Sequence, residues 1–178
     1  MPTYIAFLRA VNVGKRQYPM AELRKVLTEA GYADVETHIQ TGNVRLSTPE
    51  RSRDKVAAAL EKVFEADRSF DVQVVVLTPR ELTEVAADIE EIARQHPTEH
   101  GHYVSLLKTK PTAELVQLMH DAATDDEAVL VRGQAVHLVY GKPYHEAKVS
   151  NATVEKRIGV ATNRNAKVVR ALAEKWGG

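Results

Sequence analysis

The stretch Tyr4-Ile5-Ala6-Phe7-Leu8-Arg9 runs straight into Ala10-Val11-Asn12-Val13-Gly14-Lys15-Arg16-Gln17. A short apolar run with aromatic and β-branched members reads as a buried central strand. The segment that leaves it gathers an amide, a glycine and two cations ahead of a helix, so a ligand is expected there. Pro19 suits a first helical turn, and Met20, Leu23, Val26, Leu27 and Ala30 recur at helical spacing up to Gly31 as a stop. Val35, Thr37 and Ile39 then alternate with Glu36, His38 and Gln40. Thr41-Gly42 supplies a turn, and Val44 and Leu46 alternate with Asn43 and Arg45. A helix over 53–65 and a near-continuous apolar strand over 72–77 complete the order strand, helix, strand, strand, helix, strand, which is a ferredoxin-like half. Within it Val35, Ile39, Val44 and Leu46 are expected under the helices, leaving a polar face of Glu36, His38, Gln40, Asn43 and Arg45.

Further along, Thr78-Pro79-Arg80-Glu81 carries the cap, the proline and the glutamate of a helix start. Beyond it, the polar 95–101 segment is a loop, 103–108 a strand and 111–119 a helix, and 128–132 pairs with 135–140 across Gly133-Gln134. The tail reads as a short helix near 154–158 and a longer one over 165–176. The expected fold class is therefore α+β: a ferredoxin-like amino-terminal half over 1–78, then a second α+β lobe with a helical tail over 79–178.

Composition narrows the function classes. The 178 residues are 44% hydrophobic and 27% charged, as in an ordinary globular protein, and the absence of cysteine excludes disulfides, thiolate metal sites and cysteine nucleophiles. No apolar run approaches a membrane span and the amino terminus lacks a secretion pattern, so a cytosolic protein with no membrane partner is expected. The net charge of zero argues against a general nucleic-acid coat. Its distribution is uneven, with eight Lys/Arg against three Asp/Glu over 141–178 and two against six over 79–101.

Three blocks carry a family resemblance. They are Phe7-Leu8-Arg9-Ala10-Val11-Asn12-Val13-Gly14, then Pro19-Met20-Ala21-Glu22-Leu23, then Ile39-Gln40-Thr41-Gly42-Asn43-Val44. In this order and spacing they resemble the amino-terminal part of the bacterial domain of unknown function family 1697. The tail Lys148-Val149-Ser150-Asn151 through Thr162-Asn163-Arg164-Asn165 resembles its other block. The resemblance implies two α+β lobes, the first ferredoxin-like. It supplies neither a catalytic residue nor a cofactor, because the family has no assigned activity.

Candidate ligand-binding residues fall into three sets. Asn12, Gly14, Lys15 and Arg16 precede a helix amino terminus, where unpaired N–H groups, a permissive glycine and cations suit phosphate or carboxylate. One glycine does not make a Walker A loop or a dinucleotide fingerprint. Arg9, Gln40 and Asn43, with Arg45 and His38, offer amides and guanidinium groups at one end or face of the sheet, against the alternative of turn chemistry and interface contacts. Lys148, Asn151 and Arg164 lie in the basic tail, where Ser150 or Asn151 and Thr162 or Asn163 also make natural helix caps. Should the tail fold beside the Asn12 loop, its cations and helix starts would converge on one anion-sized space. His96, His100 and His102 have ligand-like spacing, but no regular element holds them, and no metal site is assigned. No nucleophile elbow, paired-carboxylate motif or zinc-protease helix is present. The expected function is binding of a small anionic ligand at the loop after the first strand. The alternatives are a nucleic-acid-binding module, with Tyr4 its one plausible central aromatic, and an enzyme using the same pocket.

Overall fold

The computed structural model describes residues 1–178 and is α+β, with six helices and two antiparallel four-stranded sheets. The chain divides into two compact units, 1–81 with Gly178, and 82–177. The division lies in the first turn of a helix, and the 95–101 loop falls inside the second unit.

The first unit runs β1 (Thr3–Leu8), α1 (Met20–Glu29), β2 (Ala33–His38), β3 (Asn43–Ser47), α2 (Arg53–Arg68) and β4 (Val74–Leu77). Its sheet order is β2-β3-β1-β4 with antiparallel neighbours, the split βαβ arrangement. Tyr4, Ala6 and Leu8 alternate towards one face, where they meet Val44, Leu46, Val74 and Val76 from the neighbouring strands. Leu23 and Leu27 of α1 and Val56, Leu60 and Phe64 of α2 close that core from above. Tyr4 is part of it, with its hydroxyl donating to the Glu50 carbonyl, and is therefore no outward stacking surface.

Two expectations for the hairpin change. Ile39 does not continue β2. It takes a left-handed φ of 51° in the turn and is 46% exposed. A bulge between Ala33 and Glu36, with Asp34 at φ 51°, sets two residues of β2 against one of β3, so that Val35 still packs on the core. The face away from the helices is polar only at its edge, where Glu36 opposes Arg45 and His38 opposes Asn43. Its central strands carry Ile5, Phe7, Val75 and Leu77, all buried.

The second unit takes in α3 (Pro79–Gln95) beyond its first turn, then β5 (His102–Leu107), α4 (Ala113–His120), β6 (Glu127–Arg132), β7 (Ala135–Tyr140), α5 (Asn151–Ile158), β8 (Ala161–Asn165) and α6 (Ala166–Trp176). The Thr78 capping box opens α3: the Thr78 N–H donates to Glu81 Oε2 (2.9 Å) and the Glu81 N–H to Thr78 Oγ1 (3.2 Å). The sheet order β6-β7-β5-β8 repeats that of the first unit, element for element. Thr162 and Asn163 are not caps but the middle of β8, paired with Leu106 and Ser105, and the cap of α6 is Asn165.

Gly42 joins the hairpin turn of the first unit to the end of β1. Its carbonyl accepts from the Leu8 N–H at 2.8 Å, its φ is 83°, and a Cβ there would lie 2.7 Å from Val11 Cγ2 and 2.8 Å from Leu8 Cβ. Both atoms belong to buried, well-packed side chains. Gly42→Ala is expected to cost at least about 2 kcal/mol, from overpacking together with left-handed strain. Urea unfolding of the variant measures it, and a loss below about 0.5 kcal/mol would contradict the packing described.

Candidate functional site

The connection between β1 and α1, residues 9–19, is eleven residues long and is held from within. Asn12 sits at φ 55° and acts as its staple. The side-chain amide donates to the carbonyls of Tyr18 (3.0 Å) and Gln40 (2.5 Å), and Oδ1 accepts from the Tyr18 N–H (2.7 Å). The backbone closes across the same loop through Asn12 N–H to the Arg16 carbonyl (2.7 Å) and Arg16 N–H to the Val13 carbonyl (3.1 Å). Arg16 does not reach outward. Its Nε donates to the Ala10 carbonyl at 2.7 Å, its Nη2 to the Asp71 carbonyl, and its guanidinium lies 4.6 Å from the centre of the Phe70 ring.

The far end of the loop is pinned by Tyr18, which is fully buried and packs edge-on against Phe64. Its hydroxyl donates to Asp67 Oδ2 at 2.8 Å, and Arg68 lies 4.4 Å over its ring. Burial, then the Asp67 hydrogen bond and charge, raise the Tyr18 pKa well above that of a free phenol, so the hydroxyl remains a donor. The same hydrogen bond is the chief cause holding the Asp67 carboxyl below the ordinary aspartate range.

The tip of the loop is the part left for solvent. Val13, Gly14 and Lys15 are exposed, Gly14 has φ 57°, and the N–H groups of Gly14 and Lys15 find no acceptor within the protein. Ala10, Asn12 and Gly14 all have positive φ, so alternate residues of the loop are left-handed. Two of them are not glycine, and such conformations persist only where the surroundings impose them. Successive amides in a chain of this kind point to a common side and favour an anion.

The remaining expected residues take other positions. Gln40 is exposed in the hairpin turn and gives its carbonyl to Asn12. Asn43 is fully buried and holds the same turn, with its amide donating to the His38 carbonyl (3.0 Å) and to Thr41 Oγ1 (2.9 Å). Arg9 is tied through its N–H to the Gln73 carbonyl at 2.9 Å, and Arg45 pairs with Glu36 at 3.3 Å. Asn12, Gly14, Lys15, Arg16 and Gln40 are thus brought together, with Asn43 at the start of β3 just after the turn.

Lys148, Asn151 and Arg164 belong to the second unit. Arg164 lies in β8 and is 6% exposed, with its Nη1 donating to Thr162 Oγ1 and the Asn163 carbonyl; burial lowers its pKa to about 10. Asn151 donates to the Ala161 carbonyl at 3.0 Å. The Lys148 N–H donates to Glu127, a residue that no motif marked. Glu127 is 1% exposed. It accepts from the N–H groups of Lys148 (2.6 Å) and Val149 (2.9 Å) and from Thr124 Oγ1 (2.9 Å), with Lys142 Nζ at 3.6 Å. Burial raises its pKa, but these hydrogen bonds and the Lys142 charge outweigh burial and hold it below the ordinary value of 4.5. Alternating sequence patterns carry no signal for a glutamate that serves as a buried acceptor.

Residues 1–137 match the family described as Protein of unknown function (DUF1697). The chain belongs to this family. Among solved structures it is similar to the conserved bacterial protein SP0830 from Streptococcus pneumoniae. The two share 23% identity at a TM-score of 0.74, over 99% of this chain and 98% of that one, a likeness of fold. No curated protein matches the chain. No helix is long and apolar enough to cross a membrane.

Glu127 gives a pH-dependent test. Its depressed pKa stabilises the fold fully above the ordinary glutamate value, and that contribution is lost as pH falls through the lowered folded value. At pH 7, Glu127→Gln is expected to cost about 2–4 kcal/mol. The gap to wild type should close as pH drops below about 4. Chemical denaturation of both proteins from pH 3 to 8 measures this, and a gap independent of pH would show that the charge plays no part.

Proposed function

We propose that the protein binds a small anionic ligand, bearing a phosphate or carboxylate, at the tip of the β1–α1 connection. The carrying observation is the pair of N–H groups at Gly14 and Lys15 without an acceptor in the protein, set beside the Lys15 ammonium at the exposed tip of a loop that the Asn12 and Arg16 hydrogen bonds hold. Asn12, Arg16 and Gln40 then act as the frame that holds the amides, while Gly14 and Lys15 touch the anion. Arg9 and Asn43 secure the two backbone segments beside the frame. Pre-ordering of this kind spares the ligand the entropy of arranging the loop, which is what lets a two-amide, one-cation site bind usefully.

The second unit supplies a comparison in favour of this reading. Where the first unit uses eleven residues between strand and helix, the equivalent connection after β5, residues 108–112, uses five. Topology therefore does not require the longer loop, and elaborated loops on a rigid scaffold are where binding residues concentrate. We read both units as ferredoxin-like. A nucleic-acid interface on the first sheet is less favoured, because Tyr4 and Phe7 are both buried and no aromatic is left to stack a base.

Inorganic phosphate and acetate, titrated against the melting temperature, provide the first test. Wild type should show a saturable rise by mass action. Lys15→Gln should weaken binding by roughly three- to tenfold, about 1 kcal/mol for one charge-assisted contact. Gly14→Ala should lose about 1–2 kcal/mol of stability through its left-handed φ and lose the shift as well. Equal shifts in wild type and both variants would refute the proposed location.

A further inference from the structure

Ile39 is an unfavourable choice for its position on two counts. It stands at φ 51° in the turn between β2 and β3, and it is 46% exposed. A left-handed φ presses Cβ towards the following carbonyl oxygen, and for a β-branched residue it is a genuine outlier. The other left-handed residues that are not glycine are Ala10, Asn12, Asp34 and Ser69, all small or polar. Asparagine or glycine at this position would relieve the backbone and take an apolar side chain out of water. Strained residues of this kind gather where a side chain has a use outside the fold.

A second apolar side chain stands at the same rim. The β1–α1 loop and the hairpin turn meet along segments that run in opposite directions: a Cβ on Gly42 would touch Val11 Cγ2, and the Gln40 carbonyl accepts from the Asn12 amide. Val13 and Ile39 come next along each segment, and Val13 is 61% exposed. Gly14 and Lys15, whose N–H groups find no acceptor within the protein, follow Val13 directly. Residues 9–19 and 38–43 contain neither Asp nor Glu. The exposed tip thus combines apolar side chains with free amides and a cation, and it has no carboxylate of its own.

We propose that the ligand of this loop is a soluble aliphatic anion, a carboxylate or phosphate joined directly to a short alkyl chain, with its charged end on the Gly14 and Lys15 amides and its chain against Val13 and Ile39. The proposal rests on anion binding at the loop tip and adds the part of the ligand that gives selectivity. Two apolar side chains cover only a few methylenes, which sets the chain short. Arg16 is bonded inside the loop, so Lys15 is the exposed cation of residues 10–17. An anionic bilayer is held by a cluster of basic residues, and a single lysine therefore favours a free molecule over a lipid headgroup within a membrane.

The test is a titration of the full chain with acetate, butanoate and hexanoate, read by the Gly14 and Lys15 amide shifts and the Val13 and Ile39 methyl shifts in NMR spectra. Each added methylene should tighten binding about two- to fourfold, which makes hexanoate at least about tenfold tighter than acetate. The methyl shifts should grow along the series while the amide shifts stay alike. I39N, which suits a left-handed φ, should melt no lower than wild type and lose most of the hexanoate gain, with acetate too short to register the change. V13S should lose part of the same gain. If acetate moves the two amides and hexanoate binds no tighter, the anion site stands and the aliphatic ligand is refuted. If no anion moves them, both readings fail together. An undiminished hexanoate gain in V13S/I39N, a lower melting temperature in I39N, or binding to phosphatidylglycerol vesicles without binding to hexanoate would each overturn the proposal.

Discussion

The missing side chain at Gly42 is the constraint on which the first unit's working end depends. With hydrogen in that position, the hairpin turn comes within hydrogen-bond distance of Leu8 at the end of β1, and Val11 packs where a Cβ would stand. That contact fixes the level of the turn, and the turn in turn presents the Gln40 carbonyl to the Asn12 amide. Asn12 then closes the loop on Tyr18, which α2 holds through Asp67, Arg68 and Phe64. A single close approach of backbone to packed side chains thus orders a loop that contains no regular structure. The energetic logic is that of an over-determined segment: each left-handed residue is unfavourable alone, and several independent bonds hold them all at once.

The two units show how one topology can be spent differently. Both run strand, helix, hairpin, helix, strand with the same sheet order, and a helix follows each. The first lengthens its first strand-to-helix connection. The second keeps that connection short and lengthens the one between hairpin and helix, residues 141–150, which it anchors on Glu127. The second loop is tied to the scaffold by one buried polar residue, Glu127, whereas the first is held by Asn12 and Arg16 of its own chain segment. Burying such groups is tolerable because their hydrogen bonds replace those lost to water.

The elements that followed hydrophobic period were readable from the residues. The β1 run, the α1 stripe, the Thr78 capping box and the Gly133 hairpin all stand where their patterns place them, because one buried face dictates each pattern. The residues that failed are those whose conformation is set by a distant contact. Ile39 has the right parity for β2 but leaves the strand because the turn must reach β1. Ala161-Thr162-Asn163-Arg164-Asn165 has almost no apolar content and reads as caps, yet it forms β8, since Ser105 on β5 offers Asn163 a hydrogen-bonding partner and Ala161 alone meets the core. The loop between β1 and α1 was legible in the sequence, and the bonds that hold it were not. Asn12 and Arg16 look like ligand groups in a sequence, and no sequence pattern foretells their bonds to Tyr18, Gln40, Ala10 and Asp71.

The separation of frame from exposed amides bears on what kind of ligand such a loop can select. A site made mainly of side chains recognises shape through many adjustable contacts, whereas a site made of backbone amides recognises little beyond charge and the radius of an oxygen. One mobile lysine adds attraction without geometry, since its ammonium is a point charge on a flexible stem. On the function proposed above, the first-unit loop takes an anionic group common to many molecules, and selectivity comes from whatever the rest of the ligand touches.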